Sequence, residues 1–268
     1  MSTTRPRSLL ITGFGLNCEA ETAYALDTVG ARVERIHLSD LLDEKARLAD
    51  CQLLVLIGGF AFGDHLGAGR ALAIRLRHGL ADELAAFVAR GGLVIGICNG
   101  FQTLCKLGLL PGFESFTRDT EQQVTLTHND SGVFRDDWVR LKVNAASPCL
   151  FTRGLDVLDL PIRHGEGKFV TRDADVLARL KEQDQIVYRY CDASGAPTMD
   201  FPDNPNGSVE AIAGICDPTG RIFGTMPHPE AAIFPGHHPD APRLRALGRP
   251  APEPLGLRIF ENAVGFLG

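Results

Sequence analysis

The 268-residue sequence has no C-x-x-C pair, no apolar run approaching the roughly 20 residues of a membrane helix, and no stripe of lysine or arginine. Each absence removes a class of function. Seven cysteines (Cys18, Cys51, Cys98, Cys105, Cys149, Cys191 and Cys216) are odd in number and scattered, which argues against a disulfide framework or zinc site. Most are expected to be small buried thiols in a reducing compartment. With 27 basic residues against 33 acidic ones the formal charge is −6, so a nucleic-acid partner is disfavoured. Near the N-terminus only Leu9, Leu10 and Ile11 are consecutively apolar before a glycine, too few for a secretion signal. A cytoplasmic protein without a membrane partner is expected. Phosphate cradles are missing too: there is no G-x-x-x-x-G-K-[ST], and "GFGLNC" has Cys18 where the dinucleotide fingerprint needs its third glycine.

What remains is 44% apolar and 22% charged, ample for a core, at about the upper length of one α/β domain. A single domain over 1–268 is expected. In the first half "SLLITGF", "ARVERIHL", "CQLLVLIGG" and "GGLVIGIC" read as strands, the last two apolar throughout, as in a parallel sheet buried on both faces. Between them "CEAETAYALDTVG", "SDLLDEKARLAD" (with Ser39 or Asp40 as N-cap), "ALAIRLRHGLADELAAFVAR" and "NGFQTLCKLGLLPG" read as helices. The fold class is therefore α/β, an open, mainly parallel sheet flanked by helices, with any site at the carboxyl ends of its strands. After Pro111, "QQVTLTHN", "VFRDDWVRLKV", "LDVLDLPIRHGEGKFV", "QIVYRYC" and "VEAIAGIC" predict an antiparallel extension packed against the first sheet, with a short helix at "DADVLARLKEQ". Residues 227–254 hold eight of the sixteen prolines and are expected to lack regular structure. Within them a proline-rich insertion spans about 231–254, and "LGLRIFENAVGFL" closes the chain as a helix.

Cys98 sits in Gly96-Ile97-Cys98-Asn99-Gly100, a G-x-C-x-G counterpart of the nucleophile elbow, where a tight strand-to-helix turn presents the nucleophile over the sheet edge. A helix N-terminus favours the thiolate, and the Asn99 N–H is placed to meet a developing oxyanion. A buried cysteine beside packing glycines is the competing reading of this motif alone. A base would have to come from "TMPHPEAAI", where His228 and Glu230, two apart on an extended segment, could lie side by side. Its competing reading is a proline-rich turn with both groups solvated. Gly58 and Gly59, ending the third strand, either allow close backbone approach and a second oxyanion donor or simply make a tight turn.

Taken together, "GICNGFQTL", "MPHPE" and "GGFAFGD" resemble a class I (triad) glutamine amidotransferase. With "GLNCEAET", "FGDHLGAG", "RHGEGKF", "NPNGSVEAIAGICDPTGRIFGTMPHPE" and "RIFENAV", the sequence is similar more narrowly to glutaminase subunits of phosphoribosylformylglycinamidine synthase. The resemblance implies a flavodoxin-like class I glutaminase fold in which Cys98 attacks the glutamine amide, His228 moves protons and Glu230 orients His228. It further implies an oxyanion hole at Gly59 and Asn99, and Gln102 near the bound glutamine. No cofactor or metal is expected on this chain: ATP and Mg²⁺ belong to a synthetase partner, a small bridging subunit completes the complex, and ammonia passes between active sites. The family pattern usually continues with arginine after "MPHPE", whereas Ala231 stands here. His164 and Glu166 could line the pocket, contact the partner or stabilise a glycine-rich turn. The simplest reading of His37, His65, His78 and His128 is surface or satisfied core, and of His237 and His238, solvated loop.

Overall fold

In the computed structural model, which describes residues 5–268, the first half folds as β1 (Arg7–Thr12), α1 (Glu19–Thr28), β2 (Arg32–His37), α2 (Leu38–Asp43), α3 (Arg47–Asp50), β3 (Leu53–Leu56), α4 (Arg70–Ala89), β4 (Leu93–Ile97) and α5 (Asn99–Leu107). The second half adds β5 (Val124–Thr127), β6 (Arg135–Val143), β7 (Val157–His164), β8 (Lys168–Thr171), α6 (Ala174–Glu182), β9 (Ile186–Tyr190), β10 (Ile212–Cys216), β11 (Ile222–Thr225), α7 (Ala241–Ala246) and α8 (Gly256–Leu267). One sheet of nine strands runs β2-β1-β3-β4-β11-β10-β9-β6-β7. Strands β1 to β4 and β11 are parallel, as the fully apolar runs require. The remaining four join antiparallel.

The position of β11 decides where chemistry can occur. It pairs in parallel with β4, Gly224 opposite Gly96 and Thr225 opposite Ile97, so both chains leave the sheet at the same edge. Cys98 and the segment holding His228 therefore emerge as neighbours despite their separation in sequence. Helix α5 lies close over this pair because a Cβ on Gly224 would stand 2.1 Å from the Phe101 ring. Phe101 is fully buried and stacks on Phe169 at 6.1 Å, and burial of such a side chain contributes about 1.5–3 kcal/mol.

Several expectations are corrected. The antiparallel strands β6, β7, β9 and β10 do not pack against the first sheet but extend it edge to edge; β10 is buried along its whole length, which an outer layer would not be. "LDVLDLPIRHGEGKFV" is two strands, because the chain turns at Gly165, and β8 pairs with β5 in a separate two-stranded sheet. Helix α2 is capped by neither Ser39 nor Asp40: His37 Nδ1 accepts from the Ser39 N–H at 3.2 Å. The proline-rich stretch contains the short helix α7, with Pro242 in its first turn, where a missing N–H costs nothing. His238 is not simply solvated, since its ring meets Trp138 edge-on at 5.0 Å. Among the described residues no helix is long and apolar enough to cross a membrane.

Candidate active site

The elbow has the geometry its glycines imply. Cys98 holds φ 50° and ψ −106°, a conformation disfavoured for a side chain. Its N–H donates to Thr225 O at 2.7 Å and its carbonyl accepts from Gln102 N at 3.0 Å, so the turn is clamped between β11 and α5. A Cβ on Gly100 would stand 1.9 Å from Leu56 O, and one on Gly96 2.7 Å from the Gly100 carbonyl. Glycine at both places lets the start of α5 lie directly on β3. The Asn99 N–H, in the first turn of α5, has no acceptor within the helix.

His228 and Glu230 meet, though not on an extended chain. Pro229 opens a single 3₁₀ turn, Pro229–Ala231, that folds Glu230 back so that Oε1 lies 2.5 Å from His228 Nδ1. His228 is anchored by its own N–H, which donates to Pro161 O of β7 at 2.8 Å. Both side chains are buried, and His228 Nε2 is left without a hydrogen-bond partner. Burial alone would favour the neutral ring, but the Glu230 carboxylate and the neighbouring Cys98 outweigh it and hold the imidazole pKa well above its usual value. The ring is therefore biased toward its cationic form on the wall of the pocket that Cys98 also lines.

Cys98, His228 and Gly59 line one pocket of about 200 Å³, together with Asn17, Cys18, Phe60, Phe134, Asp136 and Arg163. Cys98 Sγ lies 3.6 Å from Arg163 O. Gly59 adopts φ +144°, and a Cβ there would come within 2.8 Å of backbone atoms of Gly15, Leu16 and Asn17. That close approach fixes its amide, which makes no hydrogen bond among the described residues, at the pocket wall. Gln102 is not on the wall. Its Oε1 accepts from Asn99 Nδ2 at 3.1 Å, and its Nε2 donates to Glu166 O at 2.7 Å.

Behind the pocket lies a layer of buried and half-buried polar groups. Asn99 Nδ2 also donates to Asp64 Oδ1 at 3.1 Å, and burial together with Glu166 pushes the Asp64 carboxyl up to about 6. Glu166 Oε2 accepts from Ala68 N at 3.2 Å, tying the "HGEG" turn to the loop after Gly59. His164 Nδ1 contacts Asn129 Oδ1 at 3.1 Å, and burial, with the nearby His228, lowers its pKa to about 3. Of the three roles open to His164 and Glu166, the hydrogen bonds favour turn stabilisation. The "NPNGS" loop braces the same turn: Ser208 Oγ donates to Asn206 Oδ1 at 2.7 Å and accepts from Phe169 N at 2.9 Å.

Cys18 is the residue that sequence reasoning missed. Its thiol lies 4.0 Å from His228 Nδ1, on the pocket wall, and burial raises its pKa. Ligand atoms of Cys18, His228 and Glu230 fall within 4.8 Å of one another. The 2.5 Å separation of Nδ1 and Oε1 is nevertheless a hydrogen bond, closer than two ligands spanning a metal at ~2.0–2.2 Å each. In the sequence Cys18 was marked by its place in the incomplete glycine fingerprint and within "GLNCEAET", neither of which gave it a role.

The chain matches the family model of a CobB/CobQ-like glutamine amidotransferase domain over residues 5–267. It is 40% identical to phosphoribosylformylglycinamidine synthase subunit PurQ of Methanococcus maripaludis and 43% identical to that of Dehalococcoides mccartyi, covering 97% of each chain in both cases. A chain of the PurLQS structure from Thermotoga maritima superposes with a TM-score of 0.71 at 30% identity, over 99% of this chain and 100% of that one. A glutamine amidotransferase from Thermotoga maritima, 14% identical with a TM-score of 0.52, shares the fold, at 97% and 96% coverage. An elbow cysteine facing a carboxylate-held histidine, on a chain matched to these relatives along nearly its whole length, belongs to the class I glutamine amidotransferases, in the PurQ family of phosphoribosylformylglycinamidine synthase subunits.

Proposed function

We propose that this chain is the glutaminase subunit of phosphoribosylformylglycinamidine synthase, releasing ammonia from glutamine for purine biosynthesis. The observation that carries the reading is His228, held at Nδ1 by Glu230 and unpartnered at Nε2, in the pocket that Cys98 lines. With its thiol proton carried by His228, Cys98 Sγ adds to the amide carbon of glutamine, and the N–H groups of Gly59 and Asn99 receive the oxyanion. As the intermediate collapses, His228 gives its proton to the departing nitrogen, leaving ammonia and a γ-glutamyl thioester. His228 then takes a proton from water as its oxygen attacks the thioester, and glutamate leaves. Glu230 keeps the ring in register and stabilises its cationic form. Gln102 acts one step back, positioning Asn99.

ATP and Mg²⁺ are held by the synthetase subunit, which amidates formylglycinamide ribonucleotide with ammonia passed through an internal channel, and a small bridging subunit completes the assembly. These reactions belong to the cytoplasm. In the reconstituted complex, Cys98→Ala is expected to abolish glutamine-dependent product formation while synthesis from added ammonium salt continues. Equal loss of both activities would sink the assignment of Cys98 as nucleophile.

A further inference from the structure

Two charged side chains on the wall of the Cys98 pocket take no part in the chemistry above. Asp136 of β6 and Arg163 of β7 are cross-strand partners, and both line the chamber with Cys98, Gly59 and His228. Arg163 is half-buried, and its carbonyl oxygen lies 3.6 Å from Cys98 Sγ, which fixes the root of its side chain beside the nucleophile. Asp136 is exposed at the rim. Among the described residues neither side chain makes a hydrogen bond or ion pair, even with the other, although they stand opposite each other on neighbouring strands. Elsewhere on the same two strands such charges do pair: Arg140 holds Asp159 at 2.9 Å, and Arg135 holds Asp137 at 3.3 Å.

An unpaired cation and anion on opposite strands, at the wall of a reaction chamber, are complementary to a small zwitterion. A volume of about 200 Å³ lies below the ~300–1,000 Å³ of drug-sized sites and suits a single amino acid. The same wall carries Phe60 and Phe134, with ring centroids 6.1 Å apart, an apolar surface suited to methylene groups. We propose that Arg163 and Asp136 form the α-amino-acid subsite, Arg163 taking the α-carboxylate of the substrate and Asp136 its α-ammonium, so that the side-chain amide reaches Cys98. This rests on the glutaminase reading and adds to it a basis for specificity: free glutamine is preferred, and amides lacking either α-charge are turned over with a lower kcat/KM. A planar guanidinium suits the carboxylate because it donates two parallel hydrogen bonds.

The test uses the reconstituted complex with Arg163→Gln and Asp136→Asn. Each is assayed with glutamine, with 4-aminobutanamide, which lacks the α-carboxylate, and with glutaramic acid, which lacks the α-ammonium. Arg163→Gln is expected to raise KM for glutamine at least tenfold with kcat little changed, and to leave kcat/KM for 4-aminobutanamide unaltered. Asp136→Asn is expected to raise KM for glutamine and leave kcat/KM for glutaramic acid unaltered. An unchanged KM for glutamine in both variants, or an equal loss on glutamine and on the matching truncated amide, would overturn the subsite. Loss of the ammonia-dependent reaction in the variants would also overturn it, by assigning the pair to partner docking. Failure of the glutaminase reading looks different, because wild-type turnover of glutamine would then survive Cys98→Ala.

Discussion

His164 provides a quantitative probe of the layer behind the active site. Its pKa falls from 6.5 to about 3, first through burial and then through the nearby His228. Between those values the unfolded chain carries a proton at this position and the folded chain does not, so stability rises with pH up to about 6.5 and is lost as the pH falls. At ~1.36 kcal/mol per unit the whole window is worth about 5 kcal/mol, of which about 2 kcal/mol is lost between pH 7 and pH 5. His164→Asn removes the titration while its amide nitrogen replaces Nδ1 as the donor to Asn129 Oδ1. The void left beside Gly167, whose Cβ position lies 2.2 Å from the ring, lowers stability equally at both pH values and cancels in the difference. Urea unfolding at pH 7 and pH 5 is expected to show the variant losing about 2 kcal/mol less than wild type over this interval. Equal losses in the two proteins would refute the assignment of a neutral, buried His164.

Glu230→Gln removes the anion that most raises the His228 pKa, so the buried ring reverts to neutral; glutamine turnover is expected to fall about 10²-fold or more, while ammonia-dependent synthesis continues. The same variant should flatten the alkaline side of the stability profile in urea titrations. Wild-type His228 keeps its proton above pH 6.5 when the unfolded chain releases it, so wild-type stability declines as pH rises. Gly58→Ala and Gly59→Ala separate chemistry from folding. A Cβ on Gly58 would stand 2.7 Å from His228 Cε1 and displace the ring, costing about 10²-fold in turnover with a small change in stability. On Gly59 it would meet backbone atoms at 2.6–2.8 Å in a left-handed conformation, and calorimetry should register a loss above about 2 kcal/mol.

The parallel core was legible because its signal is local: runs such as "LLVL" and "LVIGI" are apolar at every position, and only a strand covered on both faces needs that. The elbow was legible for the same reason, its glycines and cysteine lying within five residues. The way β6, β7, β9 and β10 continue the sheet was not, since an apolar strand reads alike whether its neighbour lies edge to edge or face to face. The supporting polar residues were hidden for another reason. Asn206, Ser208 and the half-buried Asp64 look like ordinary loop residues until the fold sets them against distant partners, as when Ser208 meets Phe169 across 39 residues. Cys18 belongs with them, because only the pairing of β11 with β4 brings His228 to it.

The turn that holds Glu230 is packed against the last helix through backbone atoms. A Cβ on Gly256 would stand 2.2 Å from Pro229 O and 2.8 Å from Ala232 O, so glycine lets the start of α8 lie against this backbone. Gly256 lies two residues beyond Pro254, so the proline-rich segment leaves and rejoins the rest of the structure at one tight junction. Its base is closed by backbone contact directly behind the turn that holds Glu230. The loop between can lengthen outward without moving Oε1 from His228, because the closing contact is made by backbone atoms. The His228–Glu230 contact is therefore expected to tolerate changes in the proline-rich segment, and the region free to vary is the outer surface of residues 233–254.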